Sequence, residues 1–439
     1  MEKKIDRRLL VNIVANYAGT AISLVAPLLA LPFLLSALGI KAWGLVSFSI
    51  LLVTLITTFN SGISQAMIST FGNTLKHAEG GLEKCANLLF GYQRIYWIGS
   101  AVLGITILTA APIIADTWLE LGGVDPTIAT NAVRLAGASF FVQLPASIYR
   151  TVLTAMQKLT TVNIIQSVFS ILKAAGGVTV AFYTKSVIYY LLYVVLLTLF
   201  ETLVSAVFSW KYLRISRNKL KWDWPALRGT LRFSALMSLT VILGSVTTTF
   251  DRLFVSAKLA VDELAIYTIA LSLGMGALNA VFPIFTAVLP KLIESGDEPN
   301  KRLAINKNLL AIIILIFFVI YVPYYLIGAQ LMDIWLRDDN LSARVKSILD
   351  LILISSALNC IYNIAYINWL SLSNVRWIAG INVATCFTAI LVIPVAIDAF
   401  GLHGAALGMI IMNLVGALCS LYWLWNFSRP TLKARVDVN

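Results

Sequence analysis

The chain carries little charge for its length, and this scarcity determines its class. Of its 439 residues 12% are charged and 59% are hydrophobic, and the mean hydropathy is +0.85. A soluble domain would carry about 25% charged residues. Apolar runs recur along the whole sequence, each long enough to cross the hydrocarbon core of a bilayer as a helix. The composition therefore excludes a soluble globular protein and predicts a polytopic membrane protein.

Residues and motifs that bind metals, nucleotides or acyl groups are scarce or missing. The chain has two histidines, and its four cysteines (Cys85, Cys360, Cys386 and Cys419) have neither metal-ligand nor disulfide-framework spacing. There is no phosphate-binding loop, no zinc-peptidase motif and no serine-nucleophile turn. The sequence therefore predicts no cofactor, no metal site and no ATPase in this chain.

Acidic residues are the scarcer charge, since 21 Asp and Glu stand against 33 Lys and Arg, for a net charge of +12. Basic loops between membrane spans stay on the cytoplasmic side. The longest polar interruption, residues 211–232, contains a single acid, Asp223. Its basic residues are Lys211, Arg214, Arg217, Lys219, Lys221, Arg228 and Arg232. The charge therefore predicts membrane orientation, with both termini cytoplasmic, and no nucleic-acid partner.

Twelve apolar segments are predicted to span the membrane as helices. They are 10–38, 43–70, 88–114, 129–153, 159–183, 187–210, 233–258, 265–290, 308–331, 347–372, 377–399 and 404–427. Residues 211–232 separate six spans from six. We therefore expect an all-α fold of twelve transmembrane helices in two six-helix lobes around a central cavity. The N-terminal lobe is 1–210, the basic cytoplasmic linker 211–232 and the C-terminal lobe 233–439.

The two halves also repeat weakly. Leu38–Gly44, between the first two spans, has a counterpart in Leu259–Ala265, with small residues at matching offsets. The fourth span ends with the interval Tyr149–Gln157, and the tenth ends with the equal interval Tyr366–Asn374. Matches at the same place in each half are typical of transporters built from two repeats.

Four groups of residues follow the pattern of one protein family. They are Leu31–Leu35 with Leu38–Gly39 and Trp43–Gly44, Asp251–Arg252, Ile266–Tyr267 and Phe400–Ala406. With the length and the number of spans, they resemble the Wzx-type polysaccharide flippases, in the polysaccharide transporter family of the multidrug/oligosaccharidyl-lipid/polysaccharide exporter (MOP) superfamily. The chain departs from that family at Asn60, where members often have an acid, so any ion coupling must use another group.

The resemblance implies a transporter rather than an enzyme. The implied substrate is an undecaprenyl-pyrophosphate-linked oligosaccharide, an O-antigen or capsule repeat unit, moved from the cytoplasmic to the outer leaflet of a bacterial inner membrane by alternating access. Membrane lipids and other polysaccharide-assembly membrane proteins are the implied partners. Two alternatives stay open: a cation-coupled drug or metabolite antiporter of the same fold, and, less favoured, a membrane glycan polymerase or ligase.

Charged and amide side chains inside spans are costly and mark functional candidates. Arg252 and Lys173 are predicted to hold the phosphates of the substrate. Glu201 and Asp251 are candidates for proton or sodium coupling. The other predicted cavity residues are Asn12, Asn16, Gln65, Arg134, Arg150 and Thr249. For the two arginines of the fourth span, extension to a membrane interface is the alternative.

For two pairs of charged residues, the sequence predicts whether the two side chains interact. Counted from the turn near Lys185, Lys173 and Glu201 lie at depths that differ by about 6 Å, so their side chains could meet. Such a meeting is compatible with a structural ion pair and with a cavity wall that faces an anion. Asp251 points elsewhere on its helix than Arg252, so it is not expected to neutralise Arg252.

Overall fold

The structure is a computed structural model of the whole chain. It describes residues 7–77, 80–214, 220–222, 224, 225, 227, 228, 249–296, 298–372 and 374–428. The described part consists of helices joined by short turns, with one isolated parallel bridge between Glu120 and Ala260.

Ten helices have bounds within the described part. They are α1 (Arg7–Leu38), α2 (Ile40–His77), α3 (Gly81–Thr117), α4 (Pro126–Ala155), α5 (Leu159–Thr184), α6 (Val187–Leu213), α7 (Val261–Glu294), α8 (Pro299–Leu336), α9 (Asp339–Ser371) and α10 (Val375–Ser428). Residues 249–258 are also helical. Gly401 interrupts α10 with φ 57° and ψ −132°, so α10 has two arms, 375–400 and 402–428.

Eight of these helices, α1, α3 and α5 to α10, are long and apolar enough to cross a membrane. Their outer surfaces carry large apolar side chains; in α8, Leu315 is 60% exposed and Phe318 is 63% exposed. A contiguous surface of this kind is stable against lipid and unfavourable in water. The prediction of an all-helical, multi-pass membrane protein is therefore confirmed.

The number of twelve spans stays a prediction. The two arms of α10 contain the predicted spans 377–399 and 404–427, separated by the break at Gly401. Most of the predicted span 233–258 lies outside the described residues. In α2 the segment Ile40–Leu55 is apolar, and the side chain of Ile56, which follows it, lies outside the described residues.

The chain divides into two compact units. The first is Met1–Ser245 together with Ala260–Asp262, and the second is Val246–Leu259 together with Glu263–Asn439. The domain boundaries expected from the sequence, at residues 210 and 233, stay a prediction.

The core of the first unit lies among α2, α3, α4 and α6. Met67, Phe71 and Tyr92 are completely buried there. α1 packs along α5, and a Cβ atom placed on Gly19 would come within 2.8 Å of the Asn163 Cβ. Small residues of this kind let membrane helices approach closely. The close packing determines which polar side chains can meet between the helices.

The core of the second unit lies among α7, α8 and α9, where Val281 and Cys360 are completely buried. Aromatic rings join α9 to both arms of α10. Trp369 packs edge-to-face on Trp423 with ring centroids 5.7 Å apart, and it stacks on Trp377 at 6.0 Å. Aromatic pairs in these geometries add stability beyond the apolar area that they bury.

The internal repeat is visible in the helix ends. The Lys158 N–H donates to the Leu153 carbonyl after α4, and the Asn374 N–H donates to the Trp369 carbonyl after α9, each at 2.8 Å. A bond of this span is the Schellman ending of a helix. These two bonds align Leu153 with Trp369. The alignment predicted from the sequence, Tyr149 with Tyr366, is therefore off by one residue.

Two further positions repeat between the halves. Ile40 begins α2 and Val261 begins α7, and each is the third residue of its repeated segment. Lys185, between α5 and α6, has φ 50°, and Gly401, between the arms of α10, has φ 57°. The match of Ile40 with Val261 lies in the predicted repeat, whereas the match of Lys185 with Gly401 was not predicted.

Candidate functional site

Three charged side chains meet between helices of the first unit. Lys173 on α5 donates from Nζ to Oε2 of Glu201 on α6 at 2.6 Å. Arg150 on α4 places Nη1 3.9 Å from the other carboxylate oxygen of Glu201. The Glu201 side chain is 9% exposed. The turn at Lys185 reverses the chain, and the side chains of Lys173 and Glu201 meet between α5 and α6, as the sequence allowed.

The charged cluster of Arg150, Lys173 and Glu201 has one more positive than negative charge. A buried carboxylate without a partner costs several kcal/mol, so two cations beside it have a clear structural role. Their excess charge, held among apolar helices, also favours an anion more strongly than the same charge would in water. Sequence reasoning treated Arg150 separately, because only the packing of α4 against α6 brings it to Glu201.

A polar network lies between α2, α3 and α4 of the same unit. Asn60 is 5% exposed and donates to the Ser147 hydroxyl at 2.6 Å. The Tyr96 hydroxyl donates to the Asn60 side-chain oxygen, also at 2.6 Å. An amide serves here as donor and acceptor at once, whereas an ionised carboxylate could only accept. The departure from the family pattern at Asn60 therefore has a structural explanation.

In the second unit, Asp251 is almost fully buried. The Tyr267 hydroxyl donates to its carboxylate at 2.7 Å and also contacts the Met409 sulfur at 3.0 Å. Arg252, the next residue, is half-buried. The expectation that Asp251 does not neutralise Arg252 stays a prediction.

Amide side chains form a second network in this unit, between α9 and the second arm of α10. Asn359 donates to Asn413 at 2.9 Å, Asn363 donates to Asn359 at 2.8 Å, and Asn413 donates to the Ser355 hydroxyl at 2.7 Å. Sequence reasoning missed this network. The signal was the spacing of Ser355, Asn359 and Asn363, which recur every four residues and so share one helix face.

Arg302 falls between the predicted spans 265–290 and 308–331, and in the structure it lies in the first turns of α8 and is 1% exposed. Its guanidinium donates to the Leu292 carbonyl at 3.0 Å, the Asn368 side-chain oxygen at 3.1 Å and the Ser371 hydroxyl at 2.9 Å. It thereby ties the ends of α7 and α9 to α8. A buried arginine with several fixed acceptors is a structural anchor.

The remaining predicted residues are dispersed. Arg134 is exposed on α4 and bonds to Asn131 of its own helix at 3.1 Å. Gln65 is exposed on α2, and Thr249 is buried. Asn12 and Asn16 belong to α1, but their side chains lie outside the described residues. Lys173 belongs to the first unit and Arg252 to the second.

Long apolar helices with charged and amide groups buried between them define a polytopic membrane protein with polar groups in its interior. The family model described as "Polysaccharide biosynthesis protein" matches residues 34–343, and the chain belongs to this family. A protein of Shigella flexneri named "Putative O-antigen transporter" is 23% identical over 420 residues, which are 94% of this chain and 97% of that protein. The recognition made from the sequence is confirmed.

Solved structures of the MOP superfamily share the fold. An inward-facing MATE family multidrug resistance transporter superposes with a TM-score of 0.73 at 14% identity, covering 94% of this chain and 98% of that chain. The lipid II flippase MurJ, in an inward closed conformation, superposes with a TM-score of 0.72 at 13% identity, covering 95% of this chain and 90% of that chain. At this identity the comparisons establish the fold alone.

Proposed function

We propose that this protein is a flippase for an undecaprenyl-pyrophosphate-linked oligosaccharide, an O-antigen or capsule repeat unit. It moves the headgroup from the cytoplasmic to the outer leaflet of a bacterial inner membrane and is not an enzyme. A hydrated sugar chain with its phosphates cannot enter hydrocarbon unaided, because each polar group would lose its hydrogen bonds. The similarity of this chain to the Shigella protein named "Putative O-antigen transporter" supports this substrate class.

The observation that carries the proposal is the charged cluster around Glu201. Two partly exposed cations share one buried carboxylate, so an arriving pyrophosphate meets a net positive charge there. Lys173 can exchange Glu201 for a phosphate oxygen without breaking the pairing of Glu201 with Arg150. Charge-assisted hydrogen bonds of this kind are about twice as strong as neutral ones.

The proposed architecture is twelve spans in two six-helix lobes, with a polar cavity that opens alternately to each side and with both termini cytoplasmic. The lipid tail stays in the bilayer while the headgroup crosses. The amide networks around Asn60 and Asn413 supply groups of the type that hydrogen-bond sugar hydroxyls. Arg252 is proposed as the phosphate-holding cation of the second unit.

Coupling to a proton or sodium gradient is proposed through Asp251 or Glu201. Both carboxylates are buried and each has a described partner, Tyr267 for Asp251 and Lys173 for Glu201. A carboxylate that gains and loses a cation inside the helices changes the local charge by one unit. That change would alter how strongly the neighbouring arginine or lysine attracts the phosphates.

The test uses purified full-length protein in vesicles that contain the lipid-linked oligosaccharide in both leaflets. The measurement is the rate at which inner-leaflet glycan becomes accessible to an added glycosidase. We expect rapid exposure with the wild type and a loss of at least tenfold for Lys173→Gln. Lys258→Gln is the matched control, since Lys258 forms an exposed ion pair with Asp398 at 2.5 Å. Equal rates with and without protein would refute the proposal.

A further inference from the structure

The segment around residues 220–228 of the basic linker docks on the first unit. The Lys221 backbone N–H donates to the Asn87 side-chain oxygen at 2.8 Å. Leu227 is completely buried against α3. It packs at Gly91, where a Cβ atom would come within 2.5 Å of the Leu227 Cδ1, so the absence of a side chain at Gly91 makes room for it. Lys221 and Leu227 therefore have defined positions against α3.

This docking leaves two indoles on the surface. Trp222 is 46% exposed and Trp224 is 48% exposed, and their rings are stacked with centroids 6.3 Å apart and planes within 6°. An indole has an apolar ring and a polar N–H, and tryptophan is enriched at membrane–water interfaces for that reason. The pair presents one continuous aromatic surface.

One exposed cation lies beside an indole of this pair, and other exposed cations are close to the pair in sequence. The Arg94 guanidinium carbon lies 4.0 Å from the Phe90 ring centroid and 6.0 Å from that of Trp222, and Arg94 is exposed. Leu213, at the end of α6, shares a core cluster with Leu227, so the end of α6 belongs to the same surface. The other exposed cations here are Lys211, Arg214, Lys221 and Arg228. Asp223, the acid of the linker, lies outside the described residues.

We propose that this tryptophan–basic patch, formed by Arg94, Lys221, Trp222, Trp224 and Arg228, binds the headgroups of anionic phospholipids. The guanidinium and ammonium groups match the phosphates, and the indoles match the boundary between headgroups and acyl chains. Basic clusters beside membrane helices bind acidic lipids in this way. The proposal does not depend on which molecule the protein transports.

A phospholipid is favoured over the transported glycan by the composition of the patch. Its five residues offer indoles and cations, and the nearby amide oxygen of Asn87 already accepts from Lys221. Sugar hydroxyls would require further donors and acceptors. The phosphate of a phospholipid requires cations, and its acyl chains require apolar rings; the patch has both.

The test measures lipids retained by the purified full-length chain after reconstitution in nanodiscs with phosphatidylglycerol and phosphatidylcholine, counted by native mass spectrometry. Both leaflets have the same composition, so the result is independent of orientation. We expect phosphatidylglycerol to be retained preferentially by the wild type. Lys221→Gln with Arg228→Gln should reduce that retention about fivefold for each cation removed. Added salt should reduce it further.

Two more variants separate the patch from general effects. Trp222→Ala with Trp224→Ala should also reduce retention of phosphatidylglycerol. Tyr183→Ala with Lys185→Gln is the matched control, because this exposed aromatic and cation lie at the α5–α6 turn of the same unit. Unchanged retention in the linker variants, or an equal loss in the control, would overturn the proposal. So would displacement of phosphatidylglycerol from the patch by the lipid-linked oligosaccharide at lower concentration.

Discussion

At the residue scale, the charges around Glu201 serve stability and, as proposed, binding. A buried carboxylate with one cation removed retains the other, since Arg150 and Lys173 approach different oxygens of Glu201. Removing Glu201 instead leaves two cations close together without a counterion. We therefore expect loss of the carboxylate to be more destabilising than loss of either cation.

Inverting all three charges separates stability from binding. The variant Arg150→Glu with Lys173→Glu and Glu201→Lys keeps every attractive pair but changes the net charge of the cluster from positive to negative. Its melting temperature in detergent should recover most of the loss caused by Glu201→Lys alone. Its glycan export should remain at least tenfold below the wild type, because the pyrophosphate would meet negative charge.

The double swap Lys173→Glu with Glu201→Lys is the control for that experiment. It restores one pair but leaves Arg150 facing the new lysine, so its melting temperature should lie between those of the single and the triple variant. Wild-type export by the triple variant would show that the cluster is only structural.

Arg252 gives a second prediction at this scale. Arg252→Ala should abolish glycan export while the protein still folds and inserts, because Asp251 keeps its hydrogen bond from Tyr267. Arg252→Lys should restore part of the activity, since it keeps the charge but loses the planar two-point geometry for phosphate. Surface glycan would be measured in a deletion strain, with protein level as the control. Wild-type glycan in the alanine variant would remove Arg252 from the site.

Residue-level prediction from the sequence succeeded where the chain itself sets the geometry. Lys173 and Glu201 could be paired because a short turn joins their helices, and counting residues gave their depth. Arg150 and the Asn60–Tyr96 contact could not be predicted, because each depends on how helices distant in sequence pack. Burial of Arg302 was missed for the same reason, since its acceptors come from two other helices.

At the element scale, the turns between the repeated helices show how the two halves of the chain differ. Lys185 and Gly401 occupy matching turns, but ψ is 26° at Lys185 and −132° at Gly401. The first conformation tolerates a side chain, whereas the second is essentially restricted to glycine. The same repeat position therefore accepts a lysine in one half and requires a glycine in the other.

Gly401→Ala should destabilise the protein by about 1–3 kcal/mol, the cost of this backbone conformation for a residue with a Cβ atom. Gly380→Ala is the matched control in the same helix. A Cβ atom at Gly380 meets nothing within 4 Å, and alanine favours helix over glycine by about 1 kcal/mol. Thermal unfolding in detergent should show a lower midpoint for the first variant and an equal or higher midpoint for the second. Equal midpoints for both would contradict the strain at Gly401.

The apolar periodicity of the sequence located the helices well, but it did not show how the helices correspond to membrane spans. The predicted spans 377–399 and 404–427 correspond to the arms of α10, because Gly401 and its neighbours interrupt the apolar pattern. α2 is predicted as a full span, and in its second half Asn60 bonds to side chains of α3 and α4. A hydropathy pattern cannot distinguish a helix facing lipid from one enclosed by its neighbours.

At the scale of the whole molecule, the excess of positive charge has two roles. The basic linker fixes the predicted orientation, and, in the proposed mechanism, the buried cations receive an anionic headgroup. Outward movement of a negative charge is favoured by an inside-negative potential, by about 2.3 kcal/mol per charge for each 100 mV. The membrane potential can thus drive the proposed transport without ATP.

The proposed effect of the membrane potential on transport gives a prediction for the intact protein in vesicles. With no sodium or pH gradient, a potassium diffusion potential that is negative inside should accelerate outward exposure of the lipid-linked oligosaccharide, and the opposite potential should slow it. The rate should change severalfold, because the cluster of Arg150, Lys173 and Glu201 compensates part of the moving charge. Vesicles without protein, held at the same potentials, are the control for leakage. Equal rates at both polarities would mean that the headgroup crosses with its charge fully compensated, and a proton or sodium gradient would then have to supply the drive.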